Sequence, residues 1–196
     1  AAAAASGADA AAAPGAITVR QAAQSGSVED IYLILDASGS MLARVGEARK
    51  IDIARQALTD LITSMPDDTQ VALRTFGRQR PDDCSDMELI SAPAPLDRTA
   101  LSAQIAAITP VNLSRTPNAA SLAATALDLA GSTRLTHVVL VSDGEENCEG
   151  DPVAAAAALR AQLPNVRVSV IGFDIAPEGQ AQLAAIAEAG GGAHLP

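Results

Sequence analysis

Ile31-Tyr32-Leu33-Ile34-Leu35-Asp36-Ala37-Ser38-Gly39-Ser40 runs apolar residues without a break into a carboxylate, two hydroxyls and a glycine. An apolar run with no polar alternation is the pattern of a strand covered on both faces, as in a parallel sheet. The polar residues that follow then stand at the strand's carboxyl end, where open parallel sheets form their ligand crevice. Just beyond, Ile51, Ala54, Leu58, Leu61, Ile62 and Met65 recur at helical spacing, and Pro66 closes that helix. Strands are expected over 71–76, 137–141 and 167–173, the second of them leading into Ser142-Asp143-Gly144. Leu101, Ile105 and Ile108 mark another helical face. Thr116-Pro117 opens the next helix, with Thr as cap and Pro at the first helical position. Further helices are expected over 152–163 and 178–189, the last ended by Gly190-Gly191-Gly192, and His194-Leu195 begins a final strand. Met87 to Ser91 reads as a short edge strand ahead of Pro93 and Pro95. Short β-type runs alternating with helical repeats define an α/β fold, with a mostly parallel central sheet and one short antiparallel edge strand.

The chain has 196 residues, with 13 Lys+Arg against 23 Asp+Glu, a net charge of −10, and 48% hydrophobic residues. That composition supports one domain with a substantial core. The acidic surplus removes the long-range attraction to phosphate on which nonspecific nucleic-acid and anionic-membrane binding depend. Tyr32, Phe76 and Phe173 are the only aromatics, so stacking of bases or sugars is excluded as a main recognition mode and recognition must be polar or metal-mediated. No stretch approaches the roughly 18–20 unbroken apolar residues of a membrane helix, so no membrane insertion is expected from these residues. Residues 1–27 are rich in Ala, Gly, Ser and Gln and read as a lead-in or linker with a possible short strand over 17–19; residues 28–196 are the folded domain. The chain starts without Met and is expected to continue past Pro196.

Two strand ends carry acid and hydroxyl together: Asp36, Ser38 and Ser40 after the first strand, and Asp143 after the strand that ends at Ser142. Thr116 adds a hydroxyl from a third loop. Carboxylate and hydroxyl oxygens without a soft donor suit a hard dication, Mg²⁺ or Mn²⁺, with Ca²⁺ a further option. Each element also has an ordinary local reading. Asp36, Ser38 and Ser40 suit a strand-to-helix turn and cap, Thr116 suits an N-cap, and Asp143-Gly144 suits a turn. Convergence of three such loops on one sheet edge is the argument for a metal.

Asp36-x-Ser38-x-Ser40, then Thr116, then Asp143-Gly144 at a strand end resembles a von Willebrand factor type A (VWA) domain with a metal-ion-dependent adhesion site. The resemblance covers roughly residues 29–195. It implies a Rossmann-like three-layer sandwich with helices on both sheet faces. It further implies Mg²⁺ bound by Ser38, Ser40 and Thr116, with Asp36 and Asp143 acting directly or through water, and a protein partner whose Asp or Glu completes the coordination. More narrowly, Asp83-Cys84-Ser85-Asp86, the run from Val139 to Cys148, and Asp151-Pro152 resemble bacterial VWA proteins of the exported or membrane-associated kind. In the implied strand order the loops of Cys84 and Cys148 meet above the sheet, which allows a disulfide; two free thiols are the alternative. A bridge points to a periplasmic or extracytoplasmic setting. Arg44, Arg78, Arg115, Glu145 and Glu146 are candidates for a partner-contacting rim, and His137 and His194 read as structural.

Enzyme readings lack their parts: neither Gly-x-Ser-x-Gly, Gly-x-x-x-x-Gly-Lys-Ser/Thr nor Gly-x-Gly-x-x-Gly occurs. Mg²⁺-dependent phosphoryl transfer with Asp36 as nucleophile is weakened by Ser38, which stands where a second acid is expected, and Lys50 is the only Lys. The expected function is metal-dependent protein binding, adhesion or assembly, not catalysis. The alternative is a scaffold domain whose metal only stabilises loops. Replacing Asp143 is expected to remove the metal response without disturbing the fold, since the core runs do not include it.

Overall fold

The computed structural model describes residues 29–172 and 176–195. The lead-in over 1–27, its possible strand over 17–19, Phe173 and Pro196 lie outside the described residues. The decisive apolar run is β1 (Asp30–Asp36), followed by a 3-10 turn (Gly39–Leu42) and a two-stranded hairpin of β2 (Arg44–Val45) and β3 (Ala48–Arg49). Then come α1 (Lys50–Ser64), β4 (Gln70–Phe76), β5 (Met87–Pro95), α2 (Arg98–Ala107) and α3 (Asn118–Asp128). β6 (Thr136–Ser142), α4 (Pro152–Gln162), β7 (Val166–Gly172), α5 (Pro177–Gly190) and β8 (Gly191–Leu195) complete the order. The main sheet runs β5-β4-β1-β6-β7-β8, parallel except for β5, so this is the expected Rossmann-like α/β fold.

Side-chain alternation along β1 divides the core between the two faces of the sheet. Leu33 and Leu35 pack with Ile51, Leu58 and Ile62 of α1 and with Leu101 and Ile105 of α2. Tyr32 and Ile34 point the other way, into a cluster with Leu122 of α3, Leu159 of α4 and Leu183 and Ile186 of α5. Leu33, Ile34 and Leu35 are 0% exposed, and burial of each such side chain is worth about 1.5–3 kcal/mol. The chain winds outward from β1 through β4 in one direction and through β6 in the other, which places the switch point at the carboxyl ends of β1 and β6. Asp36 and Asp143 stand there.

Two details depart from the sequence reading. β5 is a nine-residue strand that continues through Pro93 and Pro95. Leu96 N–H donates inward to Thr69 O at 3.0 Å, so by alternation the Pro95 nitrogen faces away from β4, where a missing donor breaks no ladder bond, and Pro93 falls where the β4–β5 register shifts. β8 starts at Gly191, inside the glycine run. A Cβ on Gly192 would lie 2.2 Å from Val168 O, so the run lets the backbone press against β7 and pair with it. Among the described residues no helix is long and apolar enough to cross a membrane.

Candidate metal centre

Asp36, the last residue of β1, is 0% exposed. Its Oδ1 accepts the Ser38 backbone N–H at 2.6 Å and its Oδ2 accepts the Ser142 hydroxyl at 2.5 Å. The Ser38 and Ser40 hydroxyls are 3.0 Å apart, and Ser40 Oγ donates to Asp143 Oδ1 at 2.6 Å. The other oxygen of Asp143 meets Lys50 Nζ at 3.0 Å in a buried ion pair. Thr116 is buried, and a Cβ on Gly144 would sit 3.3 Å from Thr116 Oγ1, so the Thr116 hydroxyl lies against the turn after β6. Asn147 Oδ1 holds the Thr116 N–H at 2.7 Å. Gly77 fixes the depth of this cluster: its φ is +74°, and a Cβ there would fall 2.8 Å from Ser38 N.

The local readings of the same residues are partly met. Asp36 does form a turn with Ser38, but the Ser38 side chain makes no capping bond to the 3-10 turn that it precedes. Thr116 is not the cap of α3, a correction to the expected start of that helix, because the cap position falls on Pro117, which offers no side-chain acceptor. The exposed N–H groups at that helix end still need an anion. Glu146 supplies it, with Oε2 accepting Ala119 N–H at 2.7 Å and Oε1 accepting Cys148 N–H at 3.1 Å. Its own N–H donates to Gln182 Oε1 at 2.8 Å. Glu146 is therefore part of the loop framework and is half-buried. Relieved of capping, the hydroxyls of Ser38 and Ser40 are left after the end of β1, and that of Thr116 against the turn after β6.

The donor set fits a hard dication: three hydroxyls and two carboxylates, with no sulfur or imidazole among them. Burial, reinforced by the nearby Asp143 charge, raises the Asp36 carboxyl from 3.8 to about 6. Above both values the native state holds a buried charge that water would solvate better in the unfolded chain; below both, the difference disappears. The resulting penalty on the metal-free fold grows as pH rises from about 4 to about 6 and reaches about 2–3 kcal/mol. Urea denaturation in EDTA should show Asp36→Asn gaining on wild type across that window, and a constant difference would remove the assigned cause. Saturating Mg²⁺ should reverse the ranking above pH 6, since a dication replaces the proton.

A family model described as the von Willebrand factor type A domain matches residues 30–195. The chain belongs to that family. A relative by sequence is the uncharacterized protein YwmD of Bacillus subtilis, 32% identical over 198 residues, covering 92% of this chain and 86% of that protein. Among solved structures, an aerotolerance-related membrane protein from Bacteroides fragilis superposes with a TM-score of 0.70 at 21% identity, covering 85% of this chain and 90% of the other. Proximal thread matrix protein 1 from the mussel byssus, with a zinc-occupied MIDAS motif, gives 0.68 at 20% identity over 86% of this chain and 41% of its own.

Around this VWA crevice the rim residues differ in their engagements. Arg44 lies on the exposed β2–β3 hairpin, where its guanidinium donates to Glu47 O. Arg78 pairs with Glu88 at 3.3 Å and Arg115 with Asp82 at 2.5 Å, so both have intramolecular acids, while Glu145 is exposed. Cys84 and Cys148 form a disulfide with a Cα–Cα distance of 5.6 Å, tying the loops after β4 and β6, the two strands that flank β1. His137 shares a hydrogen bond with Ser169 at 2.7 Å near the start of β6, at the strand end opposite Asp143. Lys50, Ser142, Asn147 and the capping role of Glu146 were not singled out by sequence. Ser142 alone had a local signal, its place at the strand end beside Asp143.

Proposed function

We infer that this VWA domain is a divalent-metal-dependent protein-binding module. Ser38, Ser40 and Thr116 would hold Mg²⁺ or Mn²⁺, Asp36 and Asp143 would act directly or through water, and an Asp or Glu of a protein partner would complete the coordination. The observation that carries this reading is that the Ser38 hydroxyl meets that of Ser40, which in turn donates to Asp143, while the capping work expected of such residues is left undone or done by Glu146. When bound, the metal supplies a concentrated positive charge for an external carboxylate. Hydroxyl ligands add no charge of their own, so they leave that electrophilicity largely intact. The occupied MIDAS motif of the mussel protein supports the same use of the fold. The Cys84–Cys148 bridge favours an extracytoplasmic setting.

Thermal unfolding in EDTA, then with Mg²⁺, Mn²⁺ or Ca²⁺ titrated in, tests the reading. A ligand bound to the native state alone adds about 2.7 kcal/mol at a hundredfold excess over Kd, or about 5–10 °C for a domain of this size. The rise is expected in wild type and absent in a Ser38→Ala, Thr116→Ala double variant. An equal response in both would remove these residues as ligands. Once a partner is in hand, its release by EDTA separates metal-mediated binding from docking on the helical faces.

A further inference from the structure

We propose that Leu113 is an apolar contact for the partner segment that brings a carboxylate to the metal centre, so that the segment recognised carries a large apolar side chain beside a single acid. The inference rests on the metal-centre reading above and adds to it the chemistry of the partner. Leu113, in the loop ahead of α3, has a φ of +63° and is 75% exposed. A lone exposed leucine is ordinary. One held in the left-handed region is not, because a bulky side chain crowds its own backbone there and no burial offsets that cost. Asp82 N–H donates to Leu113 O at 2.9 Å, Val111 N–H to Gly77 O at 3.2 Å, and the Ser114 hydroxyl to Val111 O at 2.8 Å. These bonds fix the loop without using the leucine side chain, and the backbone they impose suits Asn or Gly better. What the leucine adds is apolar surface.

That surface stands beside the proposed ligands. Gly39 separates Ser38 from Ser40, and a Cβ there would lie 3.0 Å from Leu113 N and 3.3 Å from Asn112 Cα. The backbone of the Leu113 loop is thus stacked on the residue between two hydroxyl ligands. Asp82 and Glu149, the other non-glycine residues with positive φ among the described residues, lie in the loops after β4 and β6. Strained backbone therefore gathers around this crevice, as at sites shaped for a ligand. A carboxylate reaches the metal on a chain segment, and the residues that flank the acid come to lie over this rim. Leu113 offers one of them an apolar surface, and partial burial of two such side chains against each other is enough for about a tenfold gain in affinity. In the loop after β6, Glu145 and Glu149 are exposed and oppose further negative charge. The segment that fits is one Asp or Glu next to a large apolar residue, without a second acid.

The test is a nuclear magnetic resonance titration of the ¹⁵N-labelled whole chain with end-blocked peptides, in Mg²⁺ and again in EDTA. The probes are Gly-Gly-Glu-Gly-Gly, Gly-Leu-Glu-Leu-Gly and Gly-Glu-Glu-Glu-Gly, and the proteins are wild type, Leu113→Asn and Leu113→Gly. Wild type in Mg²⁺ is expected to bind the leucine-flanked peptide about tenfold more tightly than the glycine-flanked one. Both variants should bind these two peptides alike, while keeping the Mg²⁺ response and an unfolding midpoint no lower than that of wild type. No leucine preference in wild type, or a preference that persists in both variants, would overturn the role of Leu113; the glycine-flanked peptide would still report the metal centre. Loss of the Mg²⁺ response in both variants would make Leu113 a support for the ligand loops and would also overturn it. Binding of the triple-acid peptide as tight as that of the leucine-flanked one would overturn the partner chemistry. Shifts that are absent or independent of Mg²⁺ with all three peptides would overturn the metal-centre reading and this inference together.

Discussion

Asp143→Ala is expected to destabilise the metal-free protein by about 3–5 kcal/mol as well as to abolish its response to Mg²⁺. The side chains of Lys50 and Asp143 are 8% and 0% exposed, so removing the carboxylate breaks a buried ion pair, and Ser40 loses its acceptor. The sequence reading expected the fold to be indifferent to this change, because Asp143 belongs to no apolar run. The ion pair, invisible in sequence, reverses that expectation for stability while leaving the metal prediction in place. A double-mutant cycle with Lys50→Met locates the cost. If it comes from the lost pair, the double variant should cost less than the two single substitutions together, because both singles break the same contact. Denaturation in EDTA gives all four stabilities. A loss below about 1 kcal/mol for Asp143→Ala, with no recovery in the double variant, would mean that the pair contributes no more than an exposed one.

Cys84→Ser, Cys148→Ser is expected to cost about 4 kcal/mol. The bridge joins residues 64 apart in sequence, and closing a loop of that size restricts the unfolded chain by about that amount in the chain-entropy account. Loss of the bridge should lower Tm by about 10–15 °C for a domain of this size. Scanning calorimetry of wild type with and without a reductant, beside the double variant, separates the bridge from the serines. Thiol titration of the denatured, unreduced protein should find no free thiol; finding two would contradict the bridge. Metal affinity should change far less than stability, since Asp36 and Asp143 are also held by Ser38, Ser142, Ser40 and Lys50.

The legible parts of the fold were those in which local pattern and burial agree. β1 and β6 are covered on both faces, so their apolar runs are uninterrupted, and α1 repeats its apolar residues at helical spacing. β5 was read as shorter because Pro93 and Pro95 look like terminators until it is known that the Pro95 nitrogen faces the open side of the sheet and that Pro93 falls at a break in the register. The β2–β3 hairpin was missed: with two residues per strand, all exposed, Arg44–Val45 and Ala48–Arg49 carry no periodicity to detect. At the candidate site, four of the five proposed ligands follow the ends of β1 and β6, which the apolar runs mark, and Thr116 was read from the loop ahead of α3. The groups that hold them were not. Lys50 reaches Asp143 across 93 positions and Glu146 reaches the start of α3 across 27, and neither contact leaves a local spacing. Capping by a distant carboxylate also removed the reason to assign Thr116 that task.

The outer row of β5 bears on what this protein does in company. A strand that tried to zip onto this edge would find no donor at Pro95, on the side facing away from β4, and a break in the register at Pro93. Growth of the sheet from molecule to molecule, the route by which exposed edges seed fibrils, is interrupted there. In a crowded setting, copies of this domain can therefore stand side by side along that border without their sheets merging.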